Sequence, residues 1–253
     1  MNDQPIKKQT FLQGTAVLAM ATVLVKLMGF LFKVPLNNII GEDGFGYFNT
    51  AYDVYNVLLM ISTTGLPVAM SRMISQAQTL GNHAQIKRIY RTSLYVFLTI
   101  GMVGSLGMLF FCRQLSVMVT TNENSWAAIA ALAPCVLLIC LVSAYRGFFQ
   151  GQSNMTPTSV SQIFEAVTRL VVGLGLAWLV MKLTGKAYVR MQGIVLAPGE
   201  TAQDYGDITL AAGGAILGVT LGSLISVVYL HHKFRQSNQI RSAAARRSRP
   251  GAR

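Results

Sequence analysis

The chain has 253 residues, of which 52% are hydrophobic and only 12% are charged, and its formal net charge is +12. A soluble domain carries about a quarter charged residues, so this composition excludes an ordinary water-soluble protein and indicates an all-α membrane protein. The positive charge does not indicate nucleic-acid binding, because seven of the 21 Lys and Arg residues lie in residues 233–253 and no basic stripe is interleaved with aromatic residues.

Six apolar segments follow one another along the chain, each about as long as a helix that crosses a hydrocarbon core. They are residues 11–32, 47–70, 94–111, 127–145, 160–181 and 208–230. The first is too long for a secretory signal and has no small-residue cleavage site. The sequence therefore predicts a polytopic bundle of about six transmembrane helices in residues 11–231. Residues 1–10 form its cytoplasmic N-terminus, and residues 232–253 form a basic, disordered cytoplasmic tail near anionic headgroups.

The basic residues predict the orientation of these spans. With a cytoplasmic N-terminus, fourteen Lys and Arg residues fall inside and five fall outside, whereas six of the nine acidic residues fall outside. The positive-inside rule favours this arrangement. We therefore predict a multi-pass protein of the bacterial cytoplasmic membrane with both termini in the cytoplasm.

Small residues and prolines indicate how the helices pack. Glycine repeats, which let helices approach closely in lipid, occur on three spans: Gly214, Gly218 and Gly222; Gly101, Gly104 and Gly107; and Gly147 and Gly151. Pro67 and Pro134 lie inside apolar spans and predict kinks or local breaks. The three cysteines, Cys112, Cys135 and Cys140, form no CxxC pair, which favours small buried side chains over a disulfide or a zinc site.

Four ionisable residues remain inside the predicted spans: Lys26, Asp53, Glu165 and Arg169. Each costs roughly 2.5–3.5 kcal/mol on insertion scales and so needs a partner or a water-filled cavity. Glu165 and Arg169 lie four residues apart and can pair, either as a packing pair or as part of a functional site.

Lys26 has two explanations. It either extends its ammonium group to the outer interface or, with Lys33 two turns further along, lines a polar cavity that attracts an anionic ligand. In the second case Asp53, with Asn56 close by, is the candidate acidic counterpart of Lys26.

Catalytic and metal-binding motifs are not found in the sequence. The segment GEDGFG at residues 41–46 lacks the GKS or GKT ending of a phosphate loop and is more simply a tight extracellular turn. The three histidines form no ligand set with a carboxylate at helical spacing. We therefore expect no enzymatic activity, no metal site and no cofactor.

Three segments carry a resemblance to a known family. They are K-x-x-G-F-x-x-K-x-P-L at residues 26–36, Gly-Leu-Pro at 65–67, and Y-R-G-F-F-Q-G-x-x-N-M-T-P at 145–157, which continues through Ser161, Gln162, Glu165 and Arg169. Residues 10–231 resemble the stage V sporulation protein B and MurJ-like lipid-linked oligosaccharide flippases. This family belongs to the multidrug/oligosaccharidyl-lipid/polysaccharide exporter superfamily.

This resemblance implies a transporter with alternating access, in which a lipid-linked oligosaccharide diphosphate passes through a cationic central cavity. Lys26 matches a cavity-lining basic residue of the family. A second such position is Phe32 here, with Lys33 beside it. The cavity candidates are therefore Lys26, Lys33, Asp53, Asn56, Glu165 and Arg169. To Arg146, Gln150, Asn154 and Pro157 we assign a structural or gating role at a cytoplasmic helix–turn–helix corner, with Thr156 as the candidate cap of the second helix.

The family is built from two six-helix lobes, and the sequence matches only the first. We expect a truncated product rather than a lobe that assembles with a second chain. Two other functions stay open. One is a multidrug or cation antiporter, which would need an acidic coupling residue such as Asp53, and the other is a non-transporting accessory subunit in cell-wall assembly.

Overall fold

The structure is a computed structural model that describes residues 11–63, 65–120, 125–192 and 207–247. These residues form α-helices and one π-helical turn, without a strand, which confirms the all-α prediction. The helices are α1 (Phe11–Thr63), α2 (Leu66–Thr79), α3 (His83–Phe110), α4 (Cys112–Thr120), α5 (Trp126–Gly151), α6 (Thr156–Thr168), α7 (Leu174–Gln192) and α8 (Ile208–Arg247), and the π-helical turn is Arg169–Gly173.

Five helices in the described part are long and apolar enough to cross a membrane. The first, Gln13–Val57, has 45 residues and contains most of the first predicted span and about half of the second. It is interrupted at Gly41, whose φ of 70° and ψ of −178° are not helical and suit only glycine. A straight helix would place residues 32 and 48 about 24 Å apart, yet the rings of Phe32 and Phe48 lie 5.7 Å apart. The chain therefore folds back at Gly41 into two arms, residues 11–40 and 42–63.

The second predicted span, residues 47–70, is broken where its sequence reads Gly-Leu-Pro. α1 ends at Thr63, and α2 begins at Leu66 with Pro67 in its first turn. Proline favours a first turn because its missing N–H would have no partner there. The break predicted at Pro67 is thus confirmed, whereas α5 continues through Pro134.

α5 is the centre of the bundle, since 17 of its 26 residues are buried, Cys135 and Cys140 among them. Most glycines of the predicted repeats lie against a neighbouring helix, although a Cβ atom added to Gly107 would meet nothing within 4 Å. A Cβ atom added to Gly218 would lie 2.3 Å from the Cα atom of Gly173, and one added to Gly222 would lie 2.8 Å from the carbonyl oxygen of Glu165. The α8 stripe therefore packs directly against the continuous helix formed by α6, the π-helical turn and α7.

The C-terminal part differs from the prediction of a disordered tail over residues 232–253. Residues 232–247 continue α8 without interruption. Residues 243–247 are Ala-Ala-Ala-Arg-Arg, which are among the best helix formers, and extending an existing helix avoids the cost of nucleation. The prediction of disorder rested on the absence of an apolar periodicity and did not consider that α8 could be extended by good helix formers. Residues 1–10 and 248–253 lie outside the described residues.

Candidate functional site

Glu165 stands between two arginines in the interior of the bundle. It is 8% exposed. Its Oε2 atom lies 3.1 Å from Nη2 of Arg146 on α5, and its Oε1 atom lies 3.4 Å from Nη2 of Arg169 in the π-helical turn. The Nε atom of Arg146 also donates to the hydroxyl of Ser161 at 3.1 Å. One carboxylate thus faces two guanidinium groups, and the cluster keeps a net charge of +1.

The sequence predicted only part of this cluster. The pair of Glu165 and Arg169 is present, but Arg146, assigned to the corner, is its third member and makes the shorter ion pair. Arg146 and Glu165 lie 19 residues apart on two helices. Their contact depends on how α5 and α6 are aligned, which spacing within one helix does not reveal.

Arg169 connects the cluster to the second arm of α1. Its guanidinium carbon lies 5.7 Å from the ring centre of Tyr52, within the range of a cation–π contact. The Nε atom of Arg169, the hydroxyl of Tyr52 and the amide oxygen of Gln162 are buried and have no hydrogen-bond partner among the described residues. Such atoms are costly unless a ligand, water or another chain satisfies them.

The π-helical turn that begins at Arg169 was not predicted. Short π-helical segments inside α-helices occur frequently at functional sites. Here the turn ends at Gly173, where an added Cβ atom would lie 3.0 Å from the carbonyl oxygen of Ala215 and 3.0 Å from the ring of Phe32. Gly173 is visible in the sequence, but a glycine in an apolar helix does not distinguish a π-helical turn from ordinary packing.

The candidates on α1 lie at the surface of the described lobe. Lys26, Lys33, Asp53 and Asn56 are all exposed, whereas Leu36 and Ala51 on the same two arms are fully buried. The ammonium group of Lys33 lies 5.9 Å from the ring centre of Phe45. The suggested pair of Lys26 and Asp53 is not formed among the described residues, where the ion pairs are those of Glu165. The structure therefore does not join these α1 residues to the buried cluster.

The corner between α5 and α6 is a tight turn. The N–H groups of Gln152 and Asn154 both donate to the carbonyl of Phe149, and Ser153 has a positive φ of 57°. Pro157 is buried in the first turn of α6, as predicted for a helix start. The N-cap is Met155, without a side-chain cap, so the suggested cap at Thr156 is wrong. Gln150 and Asn154 are half-buried, and Asn154 and Pro157 line a cavity of about 250 Å³ against α8.

The amino-acid sequence is similar to known proteins over almost its whole length. The profile of the family described as "Polysaccharide biosynthesis protein" matches residues 11–248. Stage V sporulation protein B from Bacillus subtilis (strain 168) is 30% identical over 234 residues, which cover 92% of this chain and 41% of that protein. Lipid II flippase MurJ from the same organism is 26% identical over 231 residues, which cover 86% and 39%.

A third relative from Bacillus subtilis (strain 168), the uncharacterised membrane protein YabM, is 31% identical over 182 residues, which cover 70% of this chain and 32% of that protein. The chain thus spans about two fifths or less of the length of these relatives. No solved structure shows a significant match. With its multiple membrane-crossing helices and a profile match over residues 11–248, the chain belongs to the polysaccharide biosynthesis protein family.

Proposed function

We propose that this chain is one lobe of a transporter that moves lipid-linked saccharide precursors across the bacterial cytoplasmic membrane by alternating access. The observation that carries the proposal is the exposure of Lys26, Lys33, Asp53 and Asn56 on the two arms of α1, whose residues 13–57 are long and apolar enough to cross a membrane. Charged side chains on membrane helices almost always face a bundle interior or a water-filled cavity rather than lipid. A second lobe facing α1 would enclose them.

The charges favour an anionic substrate. The first arm of α1 contributes the exposed Lys26 and Lys33 and carries no carboxylate, whereas the exposed carboxylates Glu42, Asp43 and Asp53 all lie on the second arm. Behind α1, the cluster of Arg146, Glu165 and Arg169 adds a net charge of +1. A diphosphate headgroup must lose much of its hydration to cross the membrane, and fixed cations offset part of that cost. The relative named a lipid II flippase supports the same substrate class.

The test uses a fusion of this chain to the remaining residues of the lipid II flippase relative, in a bacterial strain depleted of its own flippase. Lys26→Ala is expected to reduce complementation at least about tenfold, because the headgroup loses a cation worth roughly 1.4 kcal/mol or more. Lys26→Arg should retain part of the activity because the charge is kept. Membrane abundance is measured by immunoblot and should not fall, since an intramembrane lysine is itself a cost to insertion.

The matched control is Lys87→Ala, which removes an exposed lysine at the start of α3, outside the candidate cavity. It should complement as well as the parent fusion. Full complementation by Lys26→Ala would show that this lysine does not hold the headgroup.

An antiporter is the second candidate, and the exposed Asp53 carboxylate favours it because it forms no ion pair among the described residues. The same fusion separates the two functions. Asp53→Asn should leave precursor transport largely intact if cations hold the substrate. The same substitution should abolish precursor transport if Asp53 carries a coupling ion.

Orientation is tested by labelling single cysteines with a membrane-impermeant maleimide, after Cys112, Cys135 and Cys140 have been replaced. A cysteine at Asn82, in the turn between α2 and α3, should react only in opened cells. A cysteine at Gln203, which lies outside the described residues, should react in intact cells. The expectation rests on the division of basic residues. Labelling of the Asn82 site in intact cells would reverse the topology.

A further inference from the structure

A groove between α2 and α3 contains a polar cavity and, beside it, an apolar one. The polar cavity, of about 610 Å³, is lined by Asn82, Gln85, Arg88, Thr92, Ser93 and three less polar residues beside the turn that connects the two helices. The apolar cavity, of about 120 Å³, is lined by residues that include Leu66, Ala69, Val96 and Phe97. Met73, Thr92 and Ser93 line both cavities, so the two lie side by side along the same pair of helices.

The direction of the groove follows from the course of the chain. α2 runs towards the turn at Gly81 and Asn82, and α3 runs away from it. The polar cavity is therefore at the turn, next to Ala84, where the candidate membrane span of α3 begins. Phe97 lies 14 residues into α3, about 21 Å further along the helix axis. The groove thus leads from the interface into the hydrocarbon region.

The positive charge at the polar end of the groove is not balanced by a carboxylate on α2 or α3. Neither Asp nor Glu occurs in residues 54–122, which include all of α2 and α3, whereas Arg72, Lys87, Arg88 and Arg91 lie close to the turn. Arg88 is exposed, lines the cavity and forms no ion pair within the part of the chain that the structure describes. The side-chain oxygen of Asn82 caps α3 by accepting from the N–H of Gln85. Among the residues that line the polar cavity, Arg88 is the charged one, and it is available to hold an anion.

We propose that this groove binds an anionic phospholipid, with its phosphate at Arg88 and the upper part of an acyl chain against Ala69, Val96 and Phe97. A cation beside hydroxyl and amide groups can bind a phosphate. The adjoining apolar cavity can hold part of an acyl chain, which a free phosphate does not have. Basic pockets between transmembrane helices at a membrane surface are known to hold such headgroups. The site lies apart from α1 and from the arginine cluster, so it does not depend on the proposed transport function.

The test titrates the purified chain in detergent with phosphatidylglycerol, an anionic lipid, and with phosphatidylcholine of the same acyl chains, and counts bound lipid by native mass spectrometry. The parent should retain phosphatidylglycerol in preference. Arg88→Gln should weaken its binding roughly tenfold, through the loss of a charge-assisted contact to the phosphate. The matched control, Lys87→Gln, removes the adjacent charge without touching either cavity and should change binding less than about twofold.

Two further arms distinguish a lipid from a free phosphate. Ala69→Phe fills the apolar cavity and should weaken phosphatidylglycerol binding, and excess inorganic phosphate should not displace the lipid from the parent. Equal losses from Arg88→Gln and Lys87→Gln would overturn the proposal in favour of diffuse charge attraction, and displacement by inorganic phosphate alone would overturn its lipid part. Circular dichroism checks that each variant folds. If Ala69→Phe fails to fold, the comparison of Arg88→Gln with Lys87→Gln still shows whether the lipid binds at Arg88.

Discussion

Replacing Glu165 with glutamine is expected to lower the free energy of unfolding by about 3–5 kcal/mol, the usual cost of removing one partner of a buried ion pair. Glu165 is the carboxylate 3.1 Å from Arg146 and 3.4 Å from Arg169. Glutamine keeps the size of the side chain but leaves two arginines close together without a counter-charge. Thermal unfolding in detergent, followed by circular dichroism, measures the loss.

The matched control is Glu42→Gln, the same chemical change at an exposed position beside the Gly41 turn. It should change stability by no more than about 0.5 kcal/mol. Adding Arg169→Gln to Glu165→Gln should recover part of the loss, because one uncompensated cation is removed. Equal stability of Glu165→Gln and Glu42→Gln would show that the cluster does not hold the bundle together.

Replacing Gly218 with alanine is expected to destabilise the protein by about 3 kcal/mol, the upper end of the usual cost of overpacking. The added methyl group would lie 2.3 Å from the Cα atom and 2.4 Å from the nitrogen of Gly173. Both are backbone atoms, so α8 and the π-helical turn would have to separate. Thermal unfolding of the purified chain gives the size of the change, and membrane abundance gives its effect in cells.

Gly107→Ala is the control for this variant. Gly107 is also a member of a predicted glycine repeat, but an added Cβ atom there meets nothing within 4 Å. Alanine should stabilise α3 slightly, by up to about 1 kcal/mol, because it favours a helix more than glycine does. The two substitutions are thus expected to have opposite signs. A loss of stability at Gly107 similar to that at Gly218 would contradict the packing shown by the structure.

The features predicted from the sequence are those encoded locally. The repeat of Gly214, Gly218 and Gly222 marked a close helix contact because its spacing of four places all three on one face. Pro67 predicted a kink or local break for the same kind of reason, since a proline inside a helix removes a backbone hydrogen bond. The turn predicted at residues 41–46 is present, although the non-helical conformation is confined to Gly41.

The features missed from the sequence depend on the tertiary arrangement. Arg146 reaches Glu165 only because α5 and α6 pack with a particular alignment. The pairing of Lys26 with Asp53 was plausible from composition, but the two side chains lie exposed on arms whose packing contacts are made by residues such as Phe32 and Phe48. Charge pattern shows that an intramembrane ion needs a partner, and it does not show which helix supplies one. The roles of the cavity and corner residues stay predictions.

The helical continuation of α8 changes how its basic residues act on the bilayer. Among residues 208–237 of α8, whose side chains the structure describes, Leu230 is the last that is fully buried, and the helix extends 17 residues beyond it to Arg247. At 1.5 Å per residue this is about 25 Å, roughly three times the screening length of about 8 Å at physiological salt. If α8 leaves the membrane along its own axis, only Lys233 and Arg235 remain within that length of Leu230. A stiff helix would then hold the later arginines beyond the reach of the lipid charge and leave them available to anionic groups in solution.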